Sequence, residues 1–187
     1  MLTITEARLD LAKRNKKGLH IILASIFVWT GVLIIWLLPI QDILTRNLFT
    51  FISTAPLLPL SYLISKAIKA EFSAKDNPLN NLSVLFAMNQ MLYILIAMWI
   101  YSAMPDKMVM VLAMIFGAHL LPYSWIYHSK AYMVMSIIIP VVALAVGHNL
   151  TEEKVYIIPL IMICIETVFS IWLFIENKLL VKKELSI

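Results

Sequence analysis

Apolar residues in this chain neither alternate with polar ones at the two-residue period of a strand nor yield to charge every helical turn. They fill runs near 19–39, 47–66, 81–104, 107–127, 131–147 and 155–175, and the charged residues collect between the runs. A run of about 20 apolar residues is what a helix needs to cross a hydrocarbon core ~30 Å thick. In lipid every backbone N–H and C=O must be paired within the segment or in a closed barrel, and the alternation of a barrel is missing. The pattern therefore predicts an all-α fold of six transmembrane helices in one membrane domain, 1–187, with residues 1–18 as a separate basic segment. Pro59, Pro122 and Pro140 fall inside the second, fourth and fifth runs. Each removes a backbone hydrogen bond, so these three are the expected kink positions.

Composition agrees with that reading. The 187 residues are 61% hydrophobic and 14% charged, with a mean hydropathy of +0.88, where soluble domains are ~45–50% apolar and ~25% charged. Six spans leave no room for a soluble catalytic or nucleic-acid-binding domain, so no nucleic-acid partner is expected and the charge is read as a topology signal. Arg8, Lys13, Arg14, Lys16 and Lys17 precede the first run, as in a secretory signal. That run is longer than the ~7–15 residues of a signal's apolar core and no small-x-small site follows, so it is expected to be retained. The segments that fall on the N-terminal side add Lys66, Lys69, Lys75, Lys130, Lys178, Lys182 and Lys183, against Arg46, Lys107 and Lys154 opposite. By the positive-inside rule both termini are expected in the cytoplasm. Trp36, Trp99, Tyr101, Tyr127, Tyr132, Tyr156 and Trp172 stand near the predicted boundaries as an interfacial belt.

In the first 18 residues, Thr3 and Glu6 have the spacing of a capping box, Gly18 is placed to end the helix, and Ile4, Ala7 and Leu11 share a face. An amphipathic basic helix of this kind is expected on the cytoplasmic leaflet, drawn by anionic lipid at ~1 kcal/mol per cation. A second pattern is internal. Leu57-Leu58-Pro59-Leu60-Ser61-Tyr62 returns 63 residues later as Leu120-Leu121-Pro122-Tyr123-Ser124-Trp125, and Ala24 and Trp36 then fall on Ala87 and Trp99. A displacement of two spans preserves orientation and suggests a parallel repeat of helical hairpins.

Chemistry is sparse. Asn89, Gln90, His119 and Glu166 are the polar residues placed deepest in the runs. At 1.5 Å per residue, Asn89, His119 and Glu166 come out ~12–18 Å from the cytoplasmic ends of their helices, which suggests one polar layer. Asn89 with Tyr93, His119 with Tyr123, and Glu166 with Ser170 are i, i+4 pairs expected to form facing stripes. Glu166 is expected to face inward and to bond His119 or the Asn89/Gln90 pair. Such a pair suits a proton relay or the binding of an ion or a small cationic or amphipathic molecule. The same residues also suit plain interhelical hydrogen bonding. No catalytic residue, metal site or cofactor is assigned. Cys164 is alone, the four histidines never take metal spacing, and the eleven methionines lack the extracellular cluster expected of a copper site. An intramembrane enzyme and a non-transporting subunit of a membrane complex stay open as other classes, and an oligomer is compatible with all three.

Ala12-Lys13-Arg14-Asn15-Lys16-Lys17-Gly18, Asn77-Pro78-Leu79-Asn80 and Phe116-Gly117-Ala118-His119-Leu120-Leu121-Pro122-Tyr123 together resemble a family of small, uncharacterised multi-spanning proteins of Gram-positive bacteria. The resemblance runs along most of the chain. It implies a bacterial plasma membrane and transfers no activity, cofactor or catalytic residue.

Overall fold

The computed structural model describes residues 2–184 in backbone. Met1, residues 185–187 and the side chains of Glu184 and of Lys183, one of the cations counted above, lie outside the described part. Helix α1 spans Ile4–Arg14 and α2 Leu19–Leu37; α3 covers Ile43–Thr54 and α4 Leu57–Ala67. After α5, Asn80–Ala103, come α6, Met108–Ala118, and α7, Leu121–Ile126. Helix α8 runs Lys130–Gly147 and α9 Ile157–Glu184. Joined across short turns, they make six helical stretches long and apolar enough to cross a membrane: Lys16–Leu37, Ile43–Ala67, Asn80–Ala103, Pro105–Ile126, Lys130–Gly147 and Glu152–Lys182. The chain is a multi-pass, all-helical membrane protein.

The second and fourth stretches are broken, and the breaks lie upstream of the expected prolines. Helix α3 stops before Ala55 and Pro56, and α6 stops before His119 and Leu120. Pro59 and Pro122 then occupy the first turns of α4 and α7, where a missing N–H costs nothing. Displaced by 63 residues, the first break falls one residue from the second, which is what a hairpin repeat would produce. Pro140 sits inside α8, which continues through it to Gly147.

Helix α2 is the centre of the bundle and packs on α9, α4 and α3, while α6 lies along α8. In lipid such contacts depend on close backbone approach more than on apolar burial. Two glycines supply it: a Cβ on Gly117 would meet Ile139 and Pro140 at 2.6 Å, and one on Gly147 would meet Met110 at 2.6 Å. Helix α5 is peripheral. Only 11% of its most apolar stretch is buried, against 50% for the first span.

At the end carrying the N-terminus, α1 is held by the protein. Its capping box is formed, with the Thr3 N–H donating to Glu6 at 2.7 Å and the Glu6 N–H to Thr3 at 3.3 Å. Of the expected apolar face, Ala7 and Leu11 are buried with Ala12, and Ile4 stays exposed. Arg14 donates to both carboxylate oxygens of Glu71 at 2.6 and 2.8 Å, and to Asp76 at 2.6 and 2.8 Å. Arg8 donates to the Trp125 carbonyl at 2.7 Å, and Lys16 to the Ile68 carbonyl at 2.5 Å. At least four of the five N-terminal cations thus have partners inside the protein.

Gly18 does not end that helix, which stops at Arg14. It closes instead a left-handed turn with φ of 46° at Lys16, 52° at Lys17 and 69° at Gly18, and α2 starts at the next residue. The absent Cβ leaves room for the Tyr132 hydroxyl, 2.8 Å from where it would lie. Tyr132 donates to the Lys17 carbonyl at 2.9 Å, and the Lys17 ammonium meets Glu176 at 2.7 Å. Trp36, Tyr127 and Tyr132, expected in an interfacial belt, are therefore packed inside; Trp36 donates to Thr50 at 3.1 Å. At the opposite end Lys107 closes the C-terminus of α8, donating to the carbonyls of Gly147, His148 and Leu150 at 3.0–3.3 Å.

Candidate functional site

A carboxyl in hydrocarbon must find partners or stay neutral, which makes Glu166 the residue to build from. It lies on the face of α9 turned to α2, between Met162 and Phe169, and is 0% exposed. Its Oε2 is within hydrogen-bond reach of the Ser25 hydroxyl on α2, and the Trp29 side chain, one turn further along α2, lies beside the same carboxyl. Oε1 has no hydrogen-bond partner, and no cationic side chain faces the group among the described residues.

The Ser25 hydroxyl also stands 2.8 Å from the carbonyl of Ile22, three residues back on its own helix. A hydroxyl has one proton and two lone pairs. If Ser25 donates to Ile22, the contact with Glu166 is a hydrogen bond only when the carboxyl is protonated and donates to the Ser25 oxygen. If Glu166 is ionised, Ser25 must turn its proton to the carboxylate and release Ile22. The site therefore has two hydrogen-bonding states that differ by one proton and one hydroxyl rotation.

The expected partners of Glu166 are elsewhere. Asn89 is exposed on α5, where its amide donates to Tyr93 at 3.0 Å, and Gln90 is half-buried on the same helix, which packs chiefly on α6 and also on α3 and α7. His119 sits at the break between α6 and α7 in a ring cluster, 5.4 Å from Phe116 and 6.2 Å from Tyr123 by centroids, with Nδ1 buried and unpartnered. Tyr123 donates to the Ser83 carbonyl at 3.0 Å, tying α7 to α5. These residues point in different directions around their helices, which spacing along the chain does not reveal. Ser170 is the exception. One turn from Glu166, it is 7% exposed with its hydroxyl unpartnered. The polar residues thus divide into an inner set, Glu166, Ser25 and Ser170, and a peripheral one on α5, Asn89, Gln90 and Tyr93.

Sequence reasoning missed Ser25, because one serine in an apolar span is ordinary and bonds back to its own helix as readily as across. It missed His20 as well, which is 1% exposed beside Phe72 with Nδ1 unpartnered. Among the described residues no three His, Cys, Asp or Glu side chains gather as a metal site. Glu166 does not line the apolar cavity between α8 and α9, walled by side chains that include Ile139, Met162 and Ile165, whose volume is about 10 Å³. That is about the space of one water probe, with no polar wall to hold a water.

A family model described as a family of unknown function (DUF7010) matches residues 4–176. No curated protein and no solved structure matches the chain.

Proposed function

We propose, for a chain that belongs to DUF7010, a family of unknown function, that it is a proton-binding membrane protein with Glu166 as the acceptor. The observation that carries the reading is the Ser25 hydroxyl placed between Glu166 and the Ile22 carbonyl with one proton for two acceptors. Uptake of a proton by Glu166 sets the chain Glu166 to Ser25 to Ile22. Release turns the Ser25 proton from the Ile22 carbonyl to the carboxylate, so the bond between α2 and α9 persists and the Ile22 carbonyl is freed, which gives the proton a local consequence within α2. The packing supports a proton over an organic cation, since the carboxyl is wholly enclosed. The cation split, twelve against three, supports a bacterial plasma-membrane topology with both termini cytoplasmic. In that topology Ser170 lies on the cytoplasmic side of Glu166.

Infrared difference spectra of the reconstituted protein test the proposal. A protonated buried carboxyl gives a carbonyl stretch well separated from the amide band. That band is expected to appear on acidification, to vanish in Glu166→Gln, and to shift in Ser25→Ala. Absence of a titrating band between about pH 4 and pH 9 overturns the assignment. Proton flux in the same vesicles then separates transport, lost in Glu166→Gln, from binding alone. The burial of the carboxyl between two closely packed helices favours a second reading, in which Glu166 and Ser25 fix α2 against α9 and the chain acts as a subunit. Gln in place of Glu166 is then silent in both assays.

A further inference from the structure

The lipid-facing side of a transmembrane helix is normally apolar, and a hydroxyl found there bonds back to its own helix. The chain follows that rule in three places: Thr30 donates to the Ile26 carbonyl at 2.7 Å, Thr167 to Ile163 at 2.7 Å, and Ser102 to Trp99 at 3.1 Å. Asn89 breaks it. It is the tenth residue of the 24 in α5, ~14 Å along the helix from Asn80 and so deep in the bilayer. It is exposed, on the least buried of the six spans. One of its N–H groups is used by Tyr93 at 3.0 Å. An amide has two donors and a carbonyl acceptor, and the helix backbone cannot satisfy both kinds from a lipid-facing position. Its second N–H and its oxygen, with the Tyr93 hydroxyl proton, make no other hydrogen bond among the described residues.

We propose that this face of α5 binds a second copy of the chain, with Asn89 against Asn89 at the centre. The side chain itself selects the occupant. A carboxylate or an ammonium would satisfy the donor or the acceptor and leave the other unpaired, whereas an amide complements an amide in both. Two copies inserted in the same direction and related by a two-fold axis along the bilayer normal bring residue 89 of each to the same depth, which is the isologous condition. Helical geometry supplies the flanks: Leu85, Leu92 and Ile96 lie on the same side of α5 as Asn89 and are exposed, giving apolar shoulders around the polar centre. The inference is independent of Glu166, which lies in the interior between α2 and α9.

The test uses the full chain carrying Cys164→Ser, reconstituted in phosphatidylcholine vesicles at low protein density. Single cysteines at Leu85, Leu92 and Ile96 are expected to cross-link into dimers, and cysteines at Met91 and Met98, on the opposite flank, are not. Asn89→Leu with Tyr93→Phe is expected to weaken dimerisation about tenfold by energy transfer between labelled copies, with an unchanged melting temperature because the face lies outside the bundle. A protein that is monomeric at every density overturns the proposal and leaves the face to another membrane partner or to lipid. Dimers that cross-link through Met91 or Met98, or that survive the double substitution intact, overturn it too.

Discussion

Ser25 shows how little separates a packing residue from a chemical one. Its hydroxyl is the hydrogen-bond partner of a wholly buried carboxyl, so Ser25→Ala removes a bond that no water can replace in this packing. We expect a loss of about 1–2 kcal/mol in bundle stability, the upper range for an interhelical hydrogen bond, measured by unfolding in mixed micelles. No loss would mean that the hydroxyl bonds only to Ile22. The glycines give a sharper contrast. Gly117→Ala drives a methyl against Ile139 and Pro140 at 2.6 Å, parts of a rigid helix, and should cost about 1–3 kcal/mol, whereas Gly31→Ala meets only Ser53 at 3.7 Å and should be neutral or stabilising. Equal effects in the two variants would show that α6 and α8 are not packed this closely. Glu166 was legible in the sequence because a carboxyl in an apolar run has no ordinary reason to be there. Ser25 and Gly117 were not, because their roles depend on which helix lies opposite.

Helix α1 holds its place through an electrostatic network outside the membrane. The Arg14 guanidinium, hydrogen-bonded to Asp76 and Glu71, is pushed above its ordinary range and stays charged, while Arg14 holds the Asp76 carboxyl below its usual value. A carboxyl depressed in the folded state stabilises the fold above its ordinary pKa, and that contribution is lost as the pH falls through the depressed value. Docking of α1 should therefore be insensitive to pH from neutral down to about pH 4 and weaken below it. A spin label at the exposed Leu9 reads this directly: immobile near neutrality, mobile in acid, and mobile at all pH values in Arg14→Ala. A label that ignores both changes would show that Ala7, Leu11 and Ala12 hold the helix by packing alone. The sequence announced α1 through its capping box and basic residues, but not which side chains would take up those cations. Glu71, Asp76 and Asp10, the anions that take up Arg14, looked like unremarkable loop and helix charges until the fold brought them together.

Over the whole molecule, the number of spans was legible because crossing a bilayer is a constraint on length and hydropathy, and both can be read locally. Arrangement was not, since both α5 and α2 pass as spans by length and hydropathy while one is peripheral and the other central. Orientation rests on charge. With six spans, the loops at 38–42 and 148–156 share one side of the membrane and the loop at 68–79 shares the other with both termini. By the cation bias the first pair of loops is expected outside. Asp42 caps α3 by accepting from the Thr45 N–H at 2.9 Å, so replacing it would disturb the helix it reports on. Gln41 and Glu153 are exposed in the same loops and free of that objection. In a chain carrying Cys164→Ser, Gln41→Cys and Glu153→Cys should react with a membrane-impermeant maleimide in intact cells, and Lys75→Cys only after permeabilisation. The reverse pattern would invert the protein and place Ser170 on the outer side of Glu166. Labelling of all three from outside would show that the second stretch, Ile43–Ala67, does not cross and that one or all of the three stretches between Lys75 and Glu153 fail to cross as well, with α5, the least buried, the first of these to examine.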